Sequence, residues 1–186
     1  PIWEISIKAL LLDCTRDYFI DYFKSKKIDF IYHVAAYKHV NLSEENPITY
    51  YHNNIIATYL CQKLSIIQDA KFVLVSTDKA VHPLNIMGKS KRLSEILVLA
   101  NANIMKAREK NSIVRFGNVL NSSGSVIPIF KSQIEKGGPV TVTDKDATRY
   151  FMSISEATSL ILNTAKIKSK LGIFVLDMGP VINIRT

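Results

Sequence analysis

The sequence predicts an α/β fold in which a parallel sheet carries helices on both faces. Two observations carry that expectation. Short apolar runs of strand length recur along the chain, and the segments between them repeat their apolar residues at intervals of three and four. Strands that alternate with helices of this length are the pattern of βαβ units. The architecture that fits is the doubly wound, Rossmann-type sheet.

The elements follow in order. Ala9–Leu12 is the first apolar run and Phe30–Val34 the second, and between them Arg16–Lys26 sets Phe19, Ile20 and Phe23 at helical spacing, which predicts strand, helix, strand. Asn53–Ile67 continues as a helix with Ile56, Leu60, Leu64 and Ile67 on one face, and Lys71–Val75 (KFVLV) is a buried strand by its length and β-branched content. Lys89–Lys110 is a long helix whose apolar face is Leu93, Ile96, Leu97, Ala100 and Ile104. Ser112–Phe116 is the next strand, followed by a loop of Gly, Ser and Asn over Gly117–Ser125. Ile127–Glu135 is a short helix ended by Gly137-Gly138-Pro139, Val140–Val142 a short strand, Ser155–Lys166 a helix and Gly172–Leu176 the last strand.

Composition narrows the function classes. With 186 residues, 47% of them hydrophobic, the chain has enough sequence for one buried core and is not a disordered segment. No apolar run approaches the roughly 18–20 residues of a membrane-spanning helix. The opening PIWEISIKALLLDCTRDYF has acids within its apolar stretch and does not read as a signal peptide; it also lacks an initiator Met, so a true N-terminus upstream is an expectation. Cys14 and Cys61 have no paired spacing and read as reduced thiols, and four scattered His with two Cys form no metal-ligand set. The net charge of +8 raises nucleic acid as a partner, but the lysines are spread along the chain, so solvated surface comes first, an anionic small substrate second and nucleic acid last.

In open α/β sheets ligands bind beyond the carboxyl ends of the strands, and three polar clusters fall there. His33-Val-Ala-Ala-Tyr-Lys-His39 follows the second run; Ala35 and Ala36 would let a ligand approach the backbone, or simply pack against a helix, and His33 alone reads as a core histidine. Ser76-Thr77-Asp78-Lys79 follows KFVLV and sets an acid beside an amine, which can serve one substrate as proton donor and acceptor. A surface turn with a local ion pair is the plain alternative. Arg115-Phe-Gly-Asn118 with the loop to Ser125 offers backbone N–H groups and hydroxyls suited to phosphate or sugar, and Arg149 offers a guanidinium. No GxGxxG or near relative occurs, since the first glycine of the chain is Gly88.

The segments HVAAYKHV (33–40), EENP (44–47), VSTDKAVHPLNIMGKSKRLSE (75–95), VRFGNVLNSSGSVIPIFKSQIEKGGPVTVTD (114–144), TRYFMSISEA (148–157) and FVLDMG (174–179) together resemble the polysaccharide-biosynthesis branch of the extended short-chain dehydrogenase/reductases, the nucleotide-sugar 4,6-dehydratases acting on UDP-N-acetylglucosamine. The resemblance implies NAD as cofactor and a UDP-sugar as substrate, with elimination of water across C5–C6. It implies Asp78 as the acid at C6, Lys79 as the base at C5, Thr77 holding the sugar near C4 and Lys91 binding the nicotinamide ribose. Met87 stands four residues before Lys91, where many relatives have Tyr, and resembles the Met-x-x-x-Lys branch; Lys91 or water beside it would then take the O4 proton. It further implies Ala35, Ala36, Ser76, Asn54 and Asp13 on the cofactor side and Lys38, Asn118, Ser125 and Arg149 on the substrate side.

Relative to that family the first strand, its Gly-rich turn and the first helix are absent, so the expected chain is N-terminally truncated. Residues 1–116 would be a partial NAD-binding domain with the catalytic segment, and 117–186 mainly the nucleotide-sugar-binding part. A cytoplasmic setting is implied, at the inner face of the membrane if a membrane-anchored portion precedes this chain, and a homo-oligomer stays open. The alternatives are a 4- or C5-epimerase and a non-catalytic UDP-sugar-binding or assembly remnant; a nucleic-acid-binding domain rests on charge alone.

Overall fold

The computed structural model describes residues 6–120, 122, 125–142, 144–167 and 171–185. Its centre is a four-stranded, wholly parallel sheet built from β1 (Phe30–His33), β2 (Lys71–Thr77), β3 (Asn111–Phe116) and β7 (Gly172–Val175), in that spatial order. Helix α1 (Tyr18–Phe23) precedes the sheet, and the helices between its strands are α2 (Val40–Glu45), α3 (Pro47–Tyr51), α4 (Ala57–Ile67), α5 (Ile86–Ile104), α6 (Val126–Glu135) and α7 (Ile154–Thr164). The KFVLV run becomes β2 because both its faces are covered. Phe72 and Leu74 pack with Cys61, Val98 and Ile113 on the side of α4 and α5, while Val73 packs with Val114, Ala157 and Ala165 on the side of α7. Burial on both faces is why the run lacks polar alternation.

Residues 117–185 also contribute two small ladders. β4 (Asn118–Val119) runs parallel to β6 (Phe151–Met152), and β5 (Thr148–Arg149) antiparallel to β8 (Ile182–Asn183). No helix among the described residues is long and apolar enough to cross a membrane.

Three expectations are corrected. Ala9–Leu12 is not a strand: residues 6–13 are irregular and pair with no strand among the described residues, with Ile7 and Leu11 exposed. Val140–Val142 is not a strand either; Thr141 donates its N–H to the side chain of Gln133 on α6, not to a neighbouring strand. The long helix α5 starts earlier than expected, at Ile86, where Asn85 Oδ1 accepts the Gly88 N–H at 2.8 Å, and it ends at Ile104, just before Lys106 at φ 53°. Its orientation is the larger surprise. Leu93, Ile96, Ala100 and Ile104 face outward, while Ser90, Lys91, Ser94 and Glu95 are buried with Met87, Val98 and Ala102.

Candidate functional site

A cleft of about 820 Å³ opens at the carboxyl ends of β1, β2 and β3. It brings together eight of the residues singled out in the sequence: Ala36 and Lys38 from the segment after β1, Ser76, Thr77 and Lys79 from the end of β2, Lys91 from α5, and Asn118 and Ser125 beyond β3. Its described lining carries three lysines and no carboxylate, so the cleft favours an anionic ligand. The Ser125 hydroxyl oxygen is buried with no hydrogen-bond partner, an acceptor and donor left for whatever fills the cleft.

At the end of β2 the chain turns through a short 3₁₀ segment, Asp78–Ala80. Thr77 Oγ1 donates to Asp78 Oδ1 at 2.9 Å and accepts the Lys79 N–H at 3.4 Å. Lys79 Nζ donates to Asp78 Oδ1 at 2.9 Å and to Asn118 Oδ1 at 3.1 Å. The Asp78 and Lys79 side chains are 27% and 32% exposed, so the pair is only partly in water, with Lys79 in the cleft lining and Asp78 beside it. Gly88 lets this turn and the start of α5 meet: a Cβ there would stand 2.7 Å from the Lys79 carbonyl oxygen.

Lys91 lies beneath, 5% exposed, its Nζ donating to the Val75 carbonyl at 2.7 Å. Burial pushes its pKa down to about 8, against an upward pull from Glu95. His33 is neutral: burial, with Lys91 adding to it, pushes it down to about 3. Thr58 spends its hydroxyl hydrogen on the Asn54 carbonyl at 2.6 Å, so His33 donates from Nε2 to Thr58 Oγ1 at 3.1 Å, as expected of a core histidine.

Asn54 sits in a π-helical turn, His52–Ile56, and is 1% exposed. Its Oδ1 accepts the Tyr37 N–H at 2.8 Å, and its Nδ2 donates to the Tyr37 carbonyl at 3.1 Å and to Ser90 Oγ at 2.9 Å. Asn54 therefore clamps the cleft segment after β1 to α5 from behind, without lining the cleft. π-turns of this kind recur at functional sites because the extra residue re-aims one side chain.

Four residues are placed elsewhere. Asp78 stands beside the lining, held by Thr77 and Lys79. Ala35 is exposed outside the cleft. Asp13 is exposed and bonded to Thr15 and Arg16. Arg149 is exposed on β5, with Nη1 donating to the Thr148 carbonyl. Within the Gly117–Ser125 loop, residues 121, 123 and 124 lie outside the described residues. Two residues that sequence reasoning missed stand out. Tyr37 contributes its backbone to the Asn54 clamp, and Glu95, fully buried, gathers Ser76, Arg92 and Arg115 around one carboxylate.

The family described as "Polysaccharide biosynthesis protein" matches residues 3–186. The probable polysaccharide biosynthesis protein EpsC of Bacillus subtilis is 47% identical over 170 residues, 91% of this chain and 28% of its own length. A UDP-glucose 4-epimerase of Rickettsia bellii is 40% identical over 140 residues, 74% of this chain and 41% of its own length. The crystal structure of Pen from Bacillus thuringiensis superimposes with a TM-score of 0.83 at 37% identity, covering 94% of this chain and 53% of that one. The chain thus spans less than two thirds of each of these relatives. With its parallel sheet and its polar cluster at the strand ends, the chain belongs to the polysaccharide biosynthesis protein family.

Proposed function

We propose that the cleft is the active site of an NAD-dependent nucleotide-sugar 4,6-dehydratase acting on UDP-N-acetylglucosamine. The observation that carries this reading is the hydrogen-bonded trio Thr77, Asp78 and Lys79 at the end of β2, above buried Lys91. The lysine-lined cleft suits a diphosphate, and the partnerless Ser125 hydroxyl suits a ligand oxygen. The residues present fit the nicotinamide-ribose end of NAD, with Lys91, Ser76 and Ala36 all lining the cleft. When bound, the cofactor supplies a hydride acceptor at the sugar C4 and the donor that returns that hydride at C6.

The chain's own residues handle the protons. The reaction calls on Lys79 as a free amine and on Asp78 as a carboxylic acid, whose side chains lie 2.9 Å apart. Lys79 Nζ then takes the proton from C5, and Asp78 gives its proton to the C6 hydroxyl, which leaves as water. Lys79 returns its proton to C5 as C6 is reduced. Thr77 Oγ1 holds O4, and Lys91 or water beside it takes the O4 proton, a role Met87 cannot fill. In the full-length protein, Asp78→Asn and Lys79→Ala should each slow the loss of water by about 10²–10⁴-fold while the nucleotide sugar still binds. Turnover at the wild-type rate in either variant would end the assignment.

A 4-epimerase is the second reading, favoured by the 40% identity to the Rickettsia bellii UDP-glucose 4-epimerase. Epimerisation at C4 needs neither an acid at C6 nor a base at C5. Mass analysis of the product separates the two, because only the dehydratase product is lighter by one water.

A further inference from the structure

Glu95 lies on α5 one helical turn past Lys91 and is 0% exposed. Its carboxylate accepts four hydrogen bonds. Ser76 Oγ reaches Oε1 at 2.6 Å and Arg115 Nε reaches it at 2.8 Å; Arg115 Nη2 reaches Oε2 at 2.6 Å and Arg92 Nη1 at 3.0 Å. Ser76 and Arg115 are register partners across the β2–β3 ladder, so the carboxylate grips both strands at their carboxyl ends. One residue earlier on β2, the Val75 carbonyl accepts from Lys91 Nζ. Helix α5 therefore holds two consecutive residues at the end of β2, and the next three are Thr77, Asp78 and Lys79.

An apolar side chain at 95 would fasten the helix to the sheet without the desolvation cost of a buried carboxylate. It would not fix Ser76 to within the tolerance of a hydrogen bond, nor face Lys91 with a negative charge. We propose that Glu95 is a positioning residue, holding Ser76 and the Thr77-Asp78-Lys79 turn in register with Lys91. The proposal rests on the reading of the cleft as the active site.

The electrostatics run the same way. Burial alone would raise Glu95, but the hydrogen bonds from Arg115, Ser76 and Arg92 outweigh it and hold the carboxyl below its usual range, so it is charged. The charged and titratable groups near Lys91 are Glu95 from α5, neutral His33 from β1, Arg115 from β3 and Arg92 from α5 on the far side of the Glu95 carboxylate, and Lys38, His39 and Lys79 in the same cleft lining, with Asp78 paired to Lys79. Loss of the Glu95 charge removes the attraction on Lys91 and leaves Arg92 and Arg115 unneutralised, and both changes disfavour the Lys91 ammonium.

The test uses the full-length protein carrying ¹³Cε-lysine. The Lys91 titration midpoint, expected near 8 in the wild type, should fall by about one pH unit in Glu95→Gln. Ser76→Ala keeps the arginine pairs and the charge, so it folds where Glu95→Gln fails to. It should lower kcat about tenfold with KM changed less than about twofold, while the Lys91 midpoint stays in place. An unmoved midpoint in folded Glu95→Gln overturns the proposal, and so does undiminished kcat in Ser76→Ala. A wild type that turns over no nucleotide sugar overturns the reading of the cleft instead, and the Lys91 midpoint then decides the role of Glu95 by itself.

Discussion

Gly88→Ala separates two forces of known sign. Gly88 is the third residue of α5, and alanine in a helix is favoured over glycine by about 0.5–1 kcal/mol. On propensity alone the variant is the more stable protein. The structure gives the opposite answer, because the new Cβ would stand 2.7 Å from the Lys79 carbonyl oxygen and 3.3 Å from both Asn85 Oδ1 and Pro83 Cβ. The closest of these is main chain, in a turn whose Ala80 is fully buried, so it cannot swing aside as the tip of a side chain would. Overpacking of this kind costs about 1–3 kcal/mol. Less the gain in propensity, the net is destabilisation by about 1 kcal/mol, and with a urea slope of about 2–3 kcal/mol/M the midpoint should fall by about 0.3–0.5 M. The assay is equilibrium urea unfolding of the full-length protein and its variant. A midpoint equal to or above wild type would refute the close approach of α5 to the Asp78–Ala80 turn.

Two further outcomes follow from buried polar groups. Folded Lys91 gives up its proton near pH 8 and the unfolded chain near 10.5, so between those values the unfolded state binds more protons and stability rises with pH, by on the order of 3 kcal/mol. Lys91→Met lacks that rise, and a wild-type-minus-variant stability curve that is flat from pH 8 to 10.5 would contradict the buried ammonium. Asn54→Asp keeps the acceptor for the Tyr37 N–H but removes the donors to the Tyr37 carbonyl and Ser90. Thermal or urea unfolding should show a loss of about 2–3 kcal/mol, and an unchanged midpoint would dismiss the clamp.

The parallel strands were legible where burial is two-sided and the run is self-sufficient, as in KFVLV and SIVRF. They were misread where the ladder partner, not the run, decides. Ala9–Leu12 has the composition of a strand, yet a strand exists only beside another, and this run pairs with none among the described residues. Some helix boundaries were on the page in plain chemistry. Asn85 capping Gly88, and Ser153 with Glu156 in a reciprocal capping box at the start of α7, are short-range signals that a closer reading recovers. The short helices α2 and α3 were hidden because Asn46-Pro47 reads as a turn, although Pro47 is well placed as the first residue of α3.

The site was legible in the same uneven way. Ser76 to Lys79 could be placed because the end of a buried strand is a known address for ligands. Asn54 and Glu95 could not be assigned their contacts, because their partners lie far off in sequence: Tyr37 and Ser90 for the one, Ser76 and Arg115 for the other. One clue to Glu95 was present and pointed the wrong way. Along α5 the periodic apolar residues suggested a core face of Leu93, Ile96, Leu97, Ala100 and Ile104, and the helix turns that stripe outward except for Leu97, which packs partly buried against the core. The face it buries carries Ser90, Lys91, Ser94 and Glu95, all of them hydrogen-bonded to strand ends, to the π-turn or to neighbouring side chains. Hydrophobic periodicity assumes that burial is driven by apolar area. At the carboxyl end of this parallel sheet the inward face of the helix is instead chosen by what the strand ends need, and a helix whose charged residues repeat at the spacing of Lys91 and Glu95 is then best read from its polar side.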